Sequence, residues 1–191
     1  MKKLLLSLVG ATLTVGAVAQ TPATPATPAA TAPTAAEPKP KPLAPPDKKF
    51  VKDASDAVLL EQKYLALMTD PKLDMLGETT KRDIKKVGDE LKRIWTSLAT
   101  LATLKGTEVA QEVSKTDLAK IEKLTKEKPD RFDKEFFKDF SRETKKTAKL
   151  FESSKTLQDP DVKKFAEDWA TVTKGHDLAA ETAEKASGKK K

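Results

Sequence analysis

The sequence contains no cysteine, a single histidine (His176), one tyrosine and only seven glycines among its 191 residues. Without cysteine the chain has no disulfide, no thiolate nucleophile or metal ligand, and no cysteine that could carry a lipid anchor. The fold must therefore be stabilised by packing. The roughly 140 residues that follow the N-terminal region are enough for one hydrophobic core.

A strong charge of one sign is also missing from most of the chain. The formal net charge is +7, but residues 47–183 hold 28 basic and 27 acidic residues, so the excess lies near the two ends. A nucleic-acid-binding domain is expected to carry a basic face with interleaved aromatic residues. The mixed charges argue against nucleic acid as a partner. A Gly-rich phosphate loop and a Ser-His-Asp pattern are absent as well.

Residues 1–19 are typical of a secretory signal peptide. Two lysines precede an apolar run of about 12 residues, and Ala17-Val18-Ala19 forms a small-residue cleavage pattern. A membrane-spanning helix needs about 20 apolar residues, and no later segment is apolar enough to span a bilayer. We expect cleavage after Ala19 and export across the inner membrane to the periplasm or outer membrane. A retained N-terminal anchor is the alternative.

Residues 20–46 hold nine of the twelve prolines, together with many alanines and threonines. This composition predicts a disordered, extended spacer, which would reach about 80 Å at about 3.1 Å per residue. A ligand for a proline-recognition module is the alternative. The chain is thus divided into a signal peptide at 1–19, a spacer at 20–46, a helical domain at 47–185 and a basic tail at 186–191.

The pattern of the remaining chain predicts an all-α fold. Apolar residues at three- and four-residue spacing predict long helices over residues 47–68, 70–105, 130–154 and 159–183. A short helix is expected after Ser114, in the connection at 107–128. The three prolines outside the spacer, Pro71, Pro129 and Pro160, lie where helices are expected to begin, which is a favourable position for proline.

Two ionisable residues fall on inward faces of these helices. His176 follows Phe165 and Trp169 on one apolar stripe, and Glu61 lies between Val58 and the next apolar turn. His176 is either a hydrogen-bonded core residue or a ligand. Glu61 either reaches solvent at the edge of its stripe or faces the core, where a carboxyl must be paired, protonated or metal-bound.

Smaller polar residues interrupt the apolar stripes of two helices. Gly77, Thr80 and Asp83 occupy inward positions near the start of the second helix, and Thr144 and Thr147 occupy them in the third. The change in the second helix predicts a small or polar pocket near its start, and the third helix is expected to be polar in its middle and apolar at its ends.

A short internal repeat suggests how the helices pair. The segment DPKLDMLGE at residues 70–78 matches DPDVKKFAE at 159–167 in its Asp-Pro opening, its two apolar positions and its final glutamate. We therefore expect two helical hairpins, each with an Asp-Pro corner. Packed together, they form a four-helix bundle with residues 107–128 as a long crossover.

Three longer stretches carry a family resemblance. They are FVKDASDAVLLEQKYLALMTDPKLDML at 50–76, FDKEFFKDFSRETKKTAKLFE at 132–152 and DPDVKKFAEDWATVTKGH at 159–176. Together with the signal peptide and spacer, they resemble the exported bacterial family known as domain of unknown function 4142, whose members are often labelled outer membrane proteins. The resemblance covers nearly all of residues 48–183 and implies a ferritin-like four-helix bundle.

The resemblance also implies ligand positions, several of which are changed in this chain. Where the family has Asp-His pairs in the second and third helices, this sequence has Asp83-Ile84 and Glu143-Thr144. Only Glu61 and His176 remain at the positions typical of the family, and Asp83 and Glu143 lie at or next to the changed pairs. The candidate metal ligands are therefore Glu61, Asp83, Glu143 and His176.

A di-iron carboxylate centre needs about four carboxylates and two histidines in a Glu-x-x-His arrangement. Thr173 stands three residues before His176, where that glutamate would be required. The sequence therefore lacks the ligand set for a di-iron centre. A looser site for a single divalent metal ion is left as an alternative.

Taken as a whole, the sequence predicts an exported helical-bundle protein with no cofactor and a non-enzymatic binding or structural role in the cell envelope. The expected partner is an envelope protein, a wall polymer or an anionic lipid surface, the last contacted by Lys189, Lys190 and Lys191. The alternative is a ferritin-like protein with a degenerate site for Fe, Mn or Zn.

Overall fold

The computed structural model of the chain describes residues 42–68 and 77–188, and the side chain of residue 130 is not included. The predicted signal peptide, most of the spacer, the first Asp-Pro corner and the last three lysines lie outside these residues. The described part is all-helical, as predicted, and contains no strand. Its helices are α1 (Pro45–Leu65), α2 (Glu78–Leu104), α3 (Lys115–Thr125), α4 (Pro129–Glu152), a 3₁₀ turn (Ser153–Thr156) and α5 (Pro160–Ser187).

Helix α1 begins two residues before the predicted start of the domain. Ala44 is extended, and Pro45 and Pro46 form the first turn, where the missing amide hydrogens of proline cost nothing. Leu43 is only 6% exposed and belongs to the core. Packing therefore includes the last few residues of the predicted spacer.

Helix α2 is shorter than the predicted helix at 70–105. Gly77 has an extended backbone, with φ −61° and ψ 147°, and the helix begins at Glu78. The prediction of one continuous helix through this position was wrong, because a heptad pattern does not show where the backbone leaves the helix. The predicted seam is confirmed, since the following residues are buried: Ile84, Val87, Leu91, Ile94, Leu98 and Leu101.

The connection between α2 and α4 contains the predicted short helix. The Ser114 hydroxyl accepts a hydrogen bond from the amide of Asp117 at 3.2 Å, which caps the N-terminus of α3. Ile121 and Leu124 are its buried residues. Helix α3 packs against α1 and α4.

Helix α4 supplies most of the aromatic core. Five phenylalanines on this helix are buried: Phe132, Phe136, Phe137, Phe140 and Phe151. Tyr64 of α1 contacts Phe136 edge-to-face, with the ring centroids 6.1 Å apart. Such rings bury large apolar areas, so this cluster accounts for much of the core.

The four long helices pack around a shared interior. Helix α1 contacts α2 and α4, and α5 contacts α4 and α2. The most extensive packing is between α4 and α5, which the 3₁₀ turn connects. None of the helices within residues 42–68 and 77–188 has the length and apolar character required to cross a membrane.

Candidate functional site

Glu61 lies in the interior, three residues before the buried Tyr64 on α1. Its relative exposure is 0%, so the interpretation that it reaches solvent at the edge of the stripe was wrong. The reason is that neighbouring helices cover both flanks of α1. Neither carboxyl oxygen has a hydrogen-bond partner.

His176 of α5 is inward, as predicted, and is 1% exposed. Its Nε2 lies 3.1 Å from Glu90 Oε2 on α2, and its Nδ1 lies 4.0 Å from Glu61 Oε2. Because a carboxylate only accepts hydrogen bonds, the contact with Glu90 assigns the proton to Nε2. The Nδ1 lone pair is then left on the side of Glu61.

The environment favours the neutral form of both residues. Burial raises the pKa of the Glu61 carboxyl to about 8, the nearby charges of Glu143 and Asp177 add to this effect, and the Thr147 hydroxyl opposes it. Burial lowers the pKa of His176, and Glu90 opposes that shift. At neutral pH the site is therefore a carboxylic acid facing an uncharged imidazole.

The threonines of α4 near this site are buried, and their hydroxyls donate hydrogen bonds to backbone carbonyls of the same helix. Thr144 and Thr147 are 0% and 2% exposed, which confirms the predicted polar middle of α4. The hydroxyl of Thr147 donates to the carbonyl of Glu143 at 3.2 Å, and that of Thr144 donates to Ser141 at 3.1 Å. The Thr147 hydroxyl therefore only partly offsets the effect of burial on the Glu61 pKa.

The other two predicted site residues are not part of this group. The Glu143 carboxylate accepts from Lys146 at 2.9 Å and from Arg142 at 3.3 Å, although its side chain is only 8% exposed. The Asp83 side chain is 44% exposed and lies 3.9 Å from Arg82. The structure brings together Glu61 and His176 but not Glu143 and Asp83.

A metal ion fits these residues poorly. Sites that bind zinc or related ions use three or four protein ligands around one centre. Within the described ranges, no three His, Asp or Glu side chains are placed to hold a metal ion. The two carboxylates that approach His176 lie at opposite nitrogens of its ring, so they do not share a centre.

Glu90 is a member of the site that sequence reasoning missed. It lies three residues after the buried Val87, next to the seam of α2, and its side chain is 18% exposed. The spacing was therefore available as a signal, but only the path of α5 across α2 shows that His176 meets it. Thr173 is 0% exposed, whereas its neighbour Val172 is only partly buried, so the buried stripe of α5 runs through the polar residue.

A surface groove between α2 and α5 lies next to His176 and Glu90. Its first half, the His176 groove, has a volume of about 400 Å³. It is lined by Asp83, Lys86, Val87, Glu90, Thr171, Val172, Gly175, His176, Leu178, Ala179 and Thr182. The predicted polar pocket is thus found at Asp83, whereas Gly77 and Thr80 do not contribute to it.

The second half, the Trp169 groove, continues from Glu90 and Val172 with a volume of about 560 Å³. It is lined by Glu90, Arg93, Ser97, Asp161, Lys164, Phe165, Asp168, Trp169 and Val172. The Trp169 ring is only partly buried, and the Arg93 guanidinium lies 5.8 Å from its centroid. Trp169 is therefore a wall of this groove and not the core residue that its stripe predicted.

Comparison with known protein families finds a match over most of the chain. Residues 30–183 match the family described as Domain of unknown function (DUF4142). No curated protein and no solved structure matches the chain.

Proposed function

The chain belongs to the Domain of unknown function (DUF4142) family, and from that premise we propose that it is an exported helical-bundle protein that acts by binding in the cell envelope. The role is non-enzymatic, and the binding surface is the groove between α2 and α5. The signal-like pattern of residues 1–19 and the proline-rich residues 20–46 support export and a spacer that holds the domain away from its attachment.

The helix packing supports a four-helix, ferritin-like arrangement of two hairpins. Helices α1 and α2 contact each other, as do α4 and α5, and each hairpin packs on the other through α1–α4 and α2–α5. The segment that contains α3 has the position of the predicted crossover. In such bundles ligand sites are built between facing helices.

The continuous groove is the observation on which the proposal depends. It follows α2 from Asp83 to Ser97, a length of about 21 Å at 1.5 Å per residue. Its apolar lining includes the partly buried Trp169, and Leu178 at its edge is 57% exposed. A long apolar groove of this kind is suited to an amphipathic helix.

The charges at the groove favour a protein partner over the other two expected partners. Acidic and basic side chains alternate along it, with Asp83 and Glu90 next to Lys86 on α2, and Asp168 paired with Lys164 on α5. An anionic lipid surface or an acidic wall polymer would be attracted by an excess of positive charge. A helix of an envelope protein, with charges of both signs beside its apolar face, fits the alternation better.

Burial of the ionisable pair supports a role without catalysis. Glu61 and His176 are 0% and 1% exposed, so a substrate in the groove reaches at most the edge of the imidazole. General acid-base catalysis requires hydrogen-bond reach to the substrate proton, and Glu61 has no such reach.

Site-specific crosslinking in the native envelope tests this proposal. A photoreactive amino acid is placed at Leu178 in the groove or, as a control, at Leu104, which is 67% exposed and does not line the groove. We expect a discrete protein adduct from position 178 only, and its loss when Trp169→Ala is added. Equal labelling from both positions, or no adduct, would contradict the proposal. An adduct with the mass of two chains would show that the groove binds a second copy of this chain and not an envelope protein.

A further inference from the structure

The outer face of α4 carries charges of one sign. Between Arg131 and Lys149 seven residues of this helix are exposed, and all of them are basic: Arg131, Lys134, Lys138, Arg142, Lys145, Lys146 and Lys149. Because residues three and four positions apart are neighbours on a helix surface, these side chains form one row, which we call the α4 ridge. At 1.5 Å per residue the α4 ridge is about 27 Å long.

The acidic residues of the same stretch of α4 are recessed, since each is half-buried or buried. Three of them pair with neighbouring residues of the α4 ridge: Glu135 with Lys138 at 3.8 Å, Asp139 with Arg142 at 3.0 Å, and Glu143 with Lys146 at 2.9 Å. The sequence of α4 mixes both signs, but the fold separates them. This separation explains why the charge balance of the sequence gave no sign of a basic face.

The other four residues of the α4 ridge form no ion pair with any residue that the structure describes: Arg131, Lys134, Lys145 and Lys149. Asp177 of α5 lies within electrostatic range of two of these lysines but forms no ion pair with them. Like charges at this spacing destabilise a helix. A row of uncompensated cations also attracts counterions, which a multivalent anion can replace.

We propose that the α4 ridge binds a linear polyanion, an extended polymer with repeated phosphate groups that lies along α4. Steps of three or four residues place successive cations about 5–6 Å apart along the helix axis, so consecutive anionic groups of one chain can pair with them. The site is separate from the proposed partner site, because α4 contributes no residue to the groove between α2 and α5.

Helix α3 adds cations beside the α4 ridge. A trough of about 340 Å³ between α3 and α4 is lined by Lys120, Lys123, Leu124, Glu127, Glu135, Lys138, Asp139 and Arg142. Lys123 has no ion pair with a residue of the described ranges, and the carboxylates of Glu135 and Asp139 are already paired with the α4 ridge. A polymer chain can enter such a trough, whereas a flat membrane surface cannot.

The composition of the face also favours a polymer over a membrane. Helices that lie on a membrane insert apolar side chains, and no apolar residue between Arg131 and Lys149 is exposed. Residues 47–183 hold 28 basic and 27 acidic residues, so the domain as a whole exerts little long-range attraction on an anionic plane. The phenylalanines of α4 are buried and offer no ring on which a nucleic-acid base could stack.

Binding of the full chain to long-chain inorganic polyphosphate, measured at several salt concentrations, tests the proposal. The ridge variant combines Lys134→Gln, Lys145→Gln and Lys149→Gln. Its matched control combines Lys48→Gln, Lys63→Gln and Lys163→Gln, which are exposed positions on α1 and α5. We expect the ridge variant to bind about tenfold more weakly or worse, with the slope of log K against log salt reduced by about 2–3, and the control to change by less than about twofold.

Both variants should melt close to the wild type, because the replaced side chains are exposed and form no ion pair within the described ranges. If the ridge variant does not fold, Lys134→Gln alone is compared with Lys163→Gln, and a slope reduced by about 1 is expected for the first only. Equal weakening in the matched variants, or no binding of polyphosphate by the wild type, would overturn the proposal. Ridge-dependent binding to phosphatidylglycerol vesicles without binding to polyphosphate would also overturn it, in favour of a membrane.

Discussion

At the scale of single residues, Glu61 and Trp169 differ in how the surrounding helices cover them. Glu61 is polar but 0% exposed, whereas the aromatic ring of Trp169 is only partly buried. Both outcomes depend on the other helices, since His176 of α5 lies 4.0 Å from Glu61, while the groove along α2 leaves one side of Trp169 open.

The partial burial of Trp169 leads to a prediction about stability. Trp169→Ala should lower the free energy of unfolding by about 1–2 kcal/mol, because only part of the ring area is removed from water. Phe136→Ala, at a site that is 0% exposed, should cost about 3–5 kcal/mol. Urea unfolding of both variants compares them directly. Equal losses would show that the tryptophan ring is core.

At the scale of helices, the start of α1 is tied to the start of α5 by Asp47. This carboxylate is 0% exposed and accepts the amide hydrogens of Gln158 at 2.9 Å and Asp159 at 3.2 Å. Asp159 in turn caps α5 and pairs with Lys105 from the end of α2 at 2.8 Å. Three helix ends therefore meet at one polar junction. The Asp-Pro motif predicted the cap, but the partner 112 positions away in sequence gave no local signal.

Removal of this junction should be costly. Asp47→Ala leaves two amide hydrogens without their charged acceptor, and we expect a loss of about 2–3 kcal/mol in the free energy of unfolding. Asp53→Ala is the matched control on the same helix, because its exposed pair with Lys49 should contribute less than about 1 kcal/mol. If Asp47→Ala were as mild as the control, the junction would not hold the helix ends together.

At the scale of the whole molecule, the features that could be predicted are those that follow a regular residue spacing or the position of a proline. The seam of α2, the phenylalanine face of α4 and the capped start of α5 each follow from spacing and from proline position. The interruption at Gly77 and the meeting of Glu90 with His176 were not predictable in this way. Each depends on backbone direction or on the crossing of two helices, which a one-dimensional pattern does not contain.

The predicted metal ligands illustrate the same distinction. The family resemblance supplied four candidate positions, but only helix packing could decide which of them meet. Glu61 and His176 approach each other, whereas Glu143 is held by Lys146 and Arg142 and Asp83 lies in the groove. The group that assembles contains two facing polar residues and Glu90, which is an arrangement suited to holding a proton.

The protonation of Glu61 in the folded protein tests this account most directly. Carboxyl carbons of ¹³C-labelled glutamate can be followed by NMR in the intact, folded chain, and the Glu61 signal is assigned by its absence in Glu61→Gln. We predict that this carboxyl titrates with a pKa of about 8. Titration near the ordinary glutamate value of 4.5 would contradict the account.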